Sequence, residues 1–302
     1  MSTDVSVTPR DLALPEYQRK PTPLLHAVRY QAARNPLMVV GIVVCLFWFA
    51  ITLTAPSLAP YGALEQNVTN RLQPPSTEHP FGTDQLGRDV LTRVMHGGRI
   101  SLPAGLLVIV VAMVIGSAVG SVAGYLGGMW DEGLMRLTEV FMAFPTIILA
   151  MAITAALGPS AINAVIAMVL VWWPNYARIV RSLVVSVKSN EYVEAAYAIG
   201  ASRPYILTRT ILPNCIAPAV VMATLDIGNA ILLFAGLSFL GLGPEPSTPE
   251  WGRMVSDGIS YFDQWWLSTF PGMAIFTVVM AFNFIGDGLR DLADPRTRKA
   301  TG

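Results

Sequence analysis

From Val140 to Ala177 the chain runs for 38 residues without an Asp, Glu, Lys or Arg. One membrane crossing needs only about 20 apolar residues, so this run is too long for a single span and too apolar for an ordinary surface. Gly158-Pro159-Ser160 interrupts it near the middle, and that tripeptide is turn chemistry. The run therefore reads as two spans joined by a tight hairpin. Leu37 to Pro56, Ile100 to Trp130 and Gln264 to Gly286 are also free of charge, and Cys215 to Leu240 carries only Asp226. The sequence thus predicts an all-α membrane protein with six spans, at about 37–56, 100–126, 139–157, 161–178, 215–240 and 264–286. Residues 87–98 can form a short separate helix before the second span.

Composition agrees: charged residues make up 13% of the chain, against about 25% in soluble domains. Net charge is zero, so no basic field for nucleic acid is expected. The first apolar run follows a 36-residue polar tail and is longer than a signal-peptide core, which favours an anchor over a cleaved leader. Residues 1–36 and 291–302 read as tails flanking a membrane domain over 37–290.

Orientation follows Lys and Arg. With both termini in the cytoplasm, fifteen basic residues lie inside and five outside, the outer ones being Arg71, Arg88, Arg93, Arg99 and Arg253. Arg88, Arg93 and Arg99, close together in one outer segment, run against the rule. Trp130, Trp172, Trp173, Trp265 and Trp266 fall near span ends, where interfacial anchoring accounts for them. Cys45 and Cys215 are too few for a disulfide framework and read as apolar packers. His26, His79 and His96 share no ligand spacing, so no metal site is expected. No Gly-x4-Gly-Lys-Ser/Thr loop occurs, so any ATP hydrolysis belongs to another chain. Catalytic residues are not expected: no Ser/His pair or carboxylate dyad sits in the spans.

Between two spans lies the polar stretch EYVEAAYAIGASRPYILTRTILPN, residues 191–214. Tyr192, Ala195, Ala196 and Ile199 share one face of a short helix. Gly200 suits a left-handed C-terminal residue, and Ser202 can cap a second helix with Pro204 in its first turn. On spacing alone, the pair could simply pack beneath its own membrane domain. Glu194-Ala195-Ala196, Gly200 and Leu212-Pro213 together, however, resemble the EAA loop of bacterial ABC importer permeases. His79-Pro80-Phe81-Gly82-Thr83-Asp84-Gln85-Leu86-Gly87-Arg88-Asp89-Val90 resembles an outer segment of the dipeptide, oligopeptide and nickel class. Leu237-Ser238-Phe239-Leu240-Gly241-Leu242-Gly243, Pro249-Glu250-Trp251-Gly252 and Asn283-Phe284-Ile285-Gly286-Asp287-Gly288-Leu289-Arg290-Asp291 are similar to further blocks of its C-type subunit.

The resemblance implies a type I ABC importer permease fold in the bacterial inner membrane, with residues 188–214 as a cytoplasmic coupling loop. Glu194 would contact a separate ATPase, Ala195 and Ala196 would allow close approach, Gly200 would make the turn, and Leu212 and Pro213 would fix the loop to the spans. It further implies a second homologous permease, two ATPases that carry ATP and Mg, and an extracytoplasmic solute-binding protein, with lipid around the chain. The cargo would be a di- or oligopeptide, glutathione, a nickel chelate or an opine-like solute.

Asp226 lies near the middle of the fifth span, with Asn229 on the same face. A central acid costs about 2.5–3.5 kcal/mol on insertion scales. The pair either lines a translocation path or ties helices together by hydrogen bonds; a self-sufficient proton- or ion-coupled transporter using Asp226 is the alternative function. Gly116, Gly120 and Gly124 recur every four residues and predict close packing of the second span against a neighbour.

Overall fold

The computed structural model describes residues 35–293, and the tails expected over 1–34 and 294–302 lie outside the described residues. Among the described residues there are helices and no strands. In chain order the helices are α1 Pro36–Leu58, α2 Val90–Leu126, α3 Gly128–Met142, α4 Thr146–Leu157, α5 Ala161–Lys188, α6 Glu191–Ala198, α7 Arg203–Phe239, α8 Trp251–Ile259 and α9 Trp266–Ala293. By length and composition α1, α2, α7 and α9 can each cross a membrane.

The crossing expected at 139–157 is not one helix. α3 and α4 meet at a bend of 87°, with the break at Ala143-Phe144-Pro145. Pro145 disfavours α geometry for the residue before it, and α4 alone has 12 residues, about 18 Å at 1.5 Å per residue. If that bent pair counts as one crossing the total is five. α5 is long enough to cross but carries Asn163, Pro174, Asn175 and Arg178, and between Val171 and Ala177 only Asn175 is not buried. The six expected crossings thus meet four clear spans, one bent pair and the long helix α5, whose middle turns are buried while Ile162, Ile166 and Val185 are exposed. The hairpin between α4 and α5 does form at Gly158, whose φ is +92°. Ser160 accepts from the Asn163 amide, and Asn163 Nδ2 donates to the carbonyls of Leu157 and Gly158.

The separate helix expected at 87–98 is also absent: α2 is continuous for 37 residues, about 55 Å. Asp89 caps it, accepting from Thr92 N at 2.7 Å. The expected glycine stripe does pack closely, and the neighbour is α5 of the same chain. A Cβ on Gly116 or Gly120 would drive into the carbonyl of Trp173 or Ala177, and one on Gly124 would lie 2.9 Å from that of Arg181. Trp172, Trp173 and Trp266 are buried in protein instead of anchoring at an interface, while Trp130 and Trp265 are exposed. Cys45 and Cys215 are both free and buried.

Candidate functional site

α6 sits at the end of the bundle where α2 finishes. Its buried residue is Val193, which packs with Tyr125 of α2, Val180 and Val184 of α5, and Ile206, Ile211, Cys215 and Ala219 of α7. Tyr197 Oη donates to or accepts from Tyr125 Oη at 2.9 Å. Lys188 Nζ donates to the Tyr125 carbonyl at 2.8 Å and lies 5.5 Å from the centre of its ring. Asp131 of α3 takes a two-point bond from Arg181 of α5, at 2.5 and 2.6 Å. The short helix is therefore tied to α2, α5 and α7 together.

The sequence-derived residues fall on it as follows. Tyr192, Glu194, Ala195 and Ile199 are exposed, Ile199 to 85%, and Ala196 is half-buried. Of the face expected from Tyr192, Ala195, Ala196 and Ile199, three residues point away from the protein and Ala196 borders the buried cluster. Gly200 has φ +80° with open space around it, the left-handed residue the turn requires. Ser202 occupies the N-cap position with extended backbone yet makes no capping hydrogen bond. Leu212 is half-buried and Pro213 exposed. The residues that fasten this segment to the bundle are Ile206 and Ile211, both fully buried; the sequence reading passed over Val193 and the Tyr125–Tyr197 pair, since partners 72 residues apart leave no local pattern.

In the interior, Asp226 Oδ2 accepts from Tyr176 Oη at 2.8 Å, joining α7 to α5. For Asp226 this is a helix-to-helix hydrogen bond, one of the two roles weighed for it.

The far end of α2 is a polar knot. Asp84 accepts from the amides of Leu86 and Arg88 and from Arg88 Nε at 2.6 Å, with Arg93 Nε at 3.6 Å. His79 Nδ1 meets Asp89 at 2.9 Å. Trp266 Nε1 donates to the Thr83 carbonyl, and Trp251 Nε1 to that of Val94. Glu250 is fully buried and caps α8, accepting from Gly252 N and Arg253 N, while Ser101 Oγ of α2 donates to it at 2.9 Å. Burial pushes the carboxyls of Glu250 and Asp257 up, against the pull of their hydrogen bonds and of nearby arginines. Arg88 and Arg93 are each 2% exposed, so they are not free surface charge.

A family model described as the binding-protein-dependent transport system inner membrane component matches residues 116–299, and one for the N-terminal TM domain of oligopeptide transport permease C matches 24–75. The dipeptide transport system permease protein DppC of Alkalihalophilus pseudofirmus is 44% identical over 269 residues, 89% of this chain and 88% of that protein. The di/tripeptide transport system permease protein DppC of Pseudomonas aeruginosa is 40% identical over 275 residues, 89% of this chain and 91% of that one. Among solved structures, a chain of the MetNI methionine ABC transporter in inward-facing conformations shares the fold at TM-score 0.55 and 18% identity, covering 67% of this chain and 97% of its own. With more than half its length matched, the chain belongs to the family of binding-protein-dependent transport system inner membrane components.

Proposed function

We propose that the chain is the permease subunit of an ATP-driven importer of di- or oligopeptides, and that it couples to a separate cytoplasmic ATPase through α6. The dipeptide and di/tripeptide permeases among its relatives support the peptide class. In this reading the chain forms half of the translocation path and a second, homologous permease forms the rest. Two ATPases bind ATP and Mg, and a solute-binding protein delivers cargo to the far end of α2. The burial of Arg88 and Arg93 favours that orientation, because it removes two of the five basic residues that count against it.

The observation that carries the coupling role is the exposed face of α6. Tyr192, Ala195 and Ile199 recur at i, i+3 and i+7 beside Glu194, all outside the fold. A helix tied to the bundle by Val193 and Tyr197 and offering exposed anchors at that spacing fits a groove on a partner. Force on α6 then reaches α2, α5 and α7 through Tyr125, Lys188 and Val193. The alternative, a transporter driven by an ion at Asp226, is less favoured: the relatives are permeases of peptide transport systems, and Asp226 is bonded across helices to Tyr176.

The test is Ile199→Asp in the transporter co-expressed with its ATPases. The side chain is 85% exposed, so the membrane level of the protein should not change. ATPase recovered with the permease should fall roughly tenfold or more, the equivalent of about 1.4 kcal/mol of binding. Full ATPase recovery by this variant would refute the coupling role of α6.

A further inference from the structure

The first part of α7 is not an α-helix. Ile206–Ile211 form a π turn, and Leu212 N donates to the Leu207 carbonyl, five residues back. Among the described residues this is the one such turn. Prolines alone do not explain it: Pro103, Pro174, Pro218 and Pro271 lie inside helices that keep α geometry. What distinguishes the segment is which side chains are buried. Ile206 and Ile211 are both fully buried in the cluster that holds Val193. Five residues apart, they stack on one side of a π turn but lie about 140° apart around an α-helix.

A second register is written into the same residues. Leu207, Ile211, Cys215 and Ala219 repeat every four residues, the stripe of an ordinary α-helix. Leu207 already borders the buried cluster. It also lines an apolar groove of about 460 Å³, shared with Met113, Ser117, Leu212 and Ile216, which leaves room for its swing. Slipping from π to α would replace Ile206 with Leu207 in one socket. It would turn the chain leading to α6 by about 100° and move it about 1.5 Å along the axis. Pro213 keeps the α register from winning outright: its ring would press on the Arg209 carbonyl, and it has no N–H to donate. Asn214 Nδ2 meanwhile donates to the Thr210 carbonyl at 2.8 Å.

We infer that residues 206–211 are a two-register joint, in which Ile206 and Leu207 alternate against Ile211 as α6 moves relative to α7. The inference rests on the coupling role proposed above. It locates the compliance of that coupling in one turn, with a packed interior state on each side, as a switching element requires.

The test uses the full complex with its ATPases, in nanodiscs, with spin labels at Leu126→Cys and Ser202→Cys. Both positions are exposed, and the native Cys45 and Cys215 are buried. The interlabel distance should shift when ATP and vanadate are added. Deleting Thr208 places Ile206 four residues before Ile211, so one α register seats it permanently and the shift should vanish while the ATPase stays bound. Leu207→Ser, which leaves only the π register apolar, should abolish the shift as well and serves if the deletion does not fold. The swap Ile206→Leu with Leu207→Ile keeps both registers and should keep the shift. A wild-type shift retained by either the deletion or Leu207→Ser would overturn the inference, as would a wild-type complex whose distance never changes. Failure of the wild-type permease to retain its ATPase is read separately, and it would overturn the coupling role itself.

Discussion

Glu250 offers a graded test of the knot at the far end of α2. Its two oxygens do different jobs. Oε1 accepts from Ser101 Oγ and Gly252 N at 2.9 Å each, and Oε2 accepts from Arg253 N at 2.8 Å. Glu250→Gln keeps the shape but places an NH2 against one of those donors. With its oxygen on the Ser101 side, the Arg253 amide loses its acceptor in a site of zero exposure. One buried unsatisfied group costs about 1–3 kcal/mol. At ~2–4 °C per kcal/mol for a domain of this size, the melting temperature should fall by roughly 2–12 °C. Ser101→Ala removes one donor and leaves every acceptor on Glu250 usable, so it should cost only about 0.5–1.5 kcal/mol. Glu250→Ala loses all three bonds and the helix cap, and should exceed the Gln variant. Melting of the detergent-purified protein, followed by intrinsic fluorescence, ranks the three. The reasoning fails if Glu250→Gln melts within 1 °C of wild type, or if Ser101→Ala is the more costly change.

Gly200→Val should insert normally yet lower dialanine uptake, because φ is +80° and a β-branched residue does not settle in the left-handed region; immunoblotting and uptake together check it. Asp226→Asn keeps an acceptor for Tyr176 and should melt within about 1 kcal/mol of wild type, while Asp226→Leu leaves that hydroxyl unpaired and should cost about 1–3 kcal/mol, read by the same melting assay. Gly120→Val should force α2 off α5, at about 1–3 kcal/mol or more of overpacking, and should lower the yield of monodisperse protein on size exclusion. For pH, burial raises the Asp257 carboxyl above its ordinary value of 3.8, so the folded state holds a proton that the unfolded state releases first. Its stabilising contribution is complete below the unfolded value and is lost as pH rises through the folded one; Asp257→Asn should flatten the fall in melting temperature over that window.

The sequence carried the membrane class, the α4–α5 hairpin, the left-handed Gly200 and the glycine stripe on α2, since each depends on composition or on residues within one or two turns. It misread the bend at Ala143-Phe144-Pro145 because hydropathy cannot distinguish a broken helix from a straight one when both sides are apolar. It assigned Trp172, Trp173 and Trp266 to an interface because position along a span does not say whether lipid or protein faces the ring. The exposed face of α6 was visible as a stripe, but its direction depended on Val193 meeting Tyr125 and Val184, contacts made across other helices. The π turn left a trace that could have been read: buried-type residues at 206, 211, 215 and 219 step by five, then four, then four.

The arginines at the far end of α2 show how a charge rule and a fold can be reconciled. Counting Lys and Arg treats every basic side chain as a free charge that resists crossing a membrane. Arg88 and Arg93 do not meet that description. Arg88 is bonded to Asp84, and Arg93 shares that acid while its guanidinium also donates to the carbonyls of Ala63 and Ser247. Arginines so enclosed spend their donors inside the protein, and the acid they share offsets one of their two charges. The two ends of α2 therefore differ in kind. One is locked by buried ion pairs, a capped helix and tryptophan bonds, while the other holds α6 through one tyrosine pair, the packing of Val193 and a π turn, beside the half-exposed Asp131–Arg181 pair. A permease that must receive cargo at one end and motion at the other needs that asymmetry. Replacing Asp84 with Asn should accordingly loosen the end away from α6, lowering the melting temperature without reducing the ATPase recovered with the chain; equal loss of both would show that the two ends are not mechanically distinct.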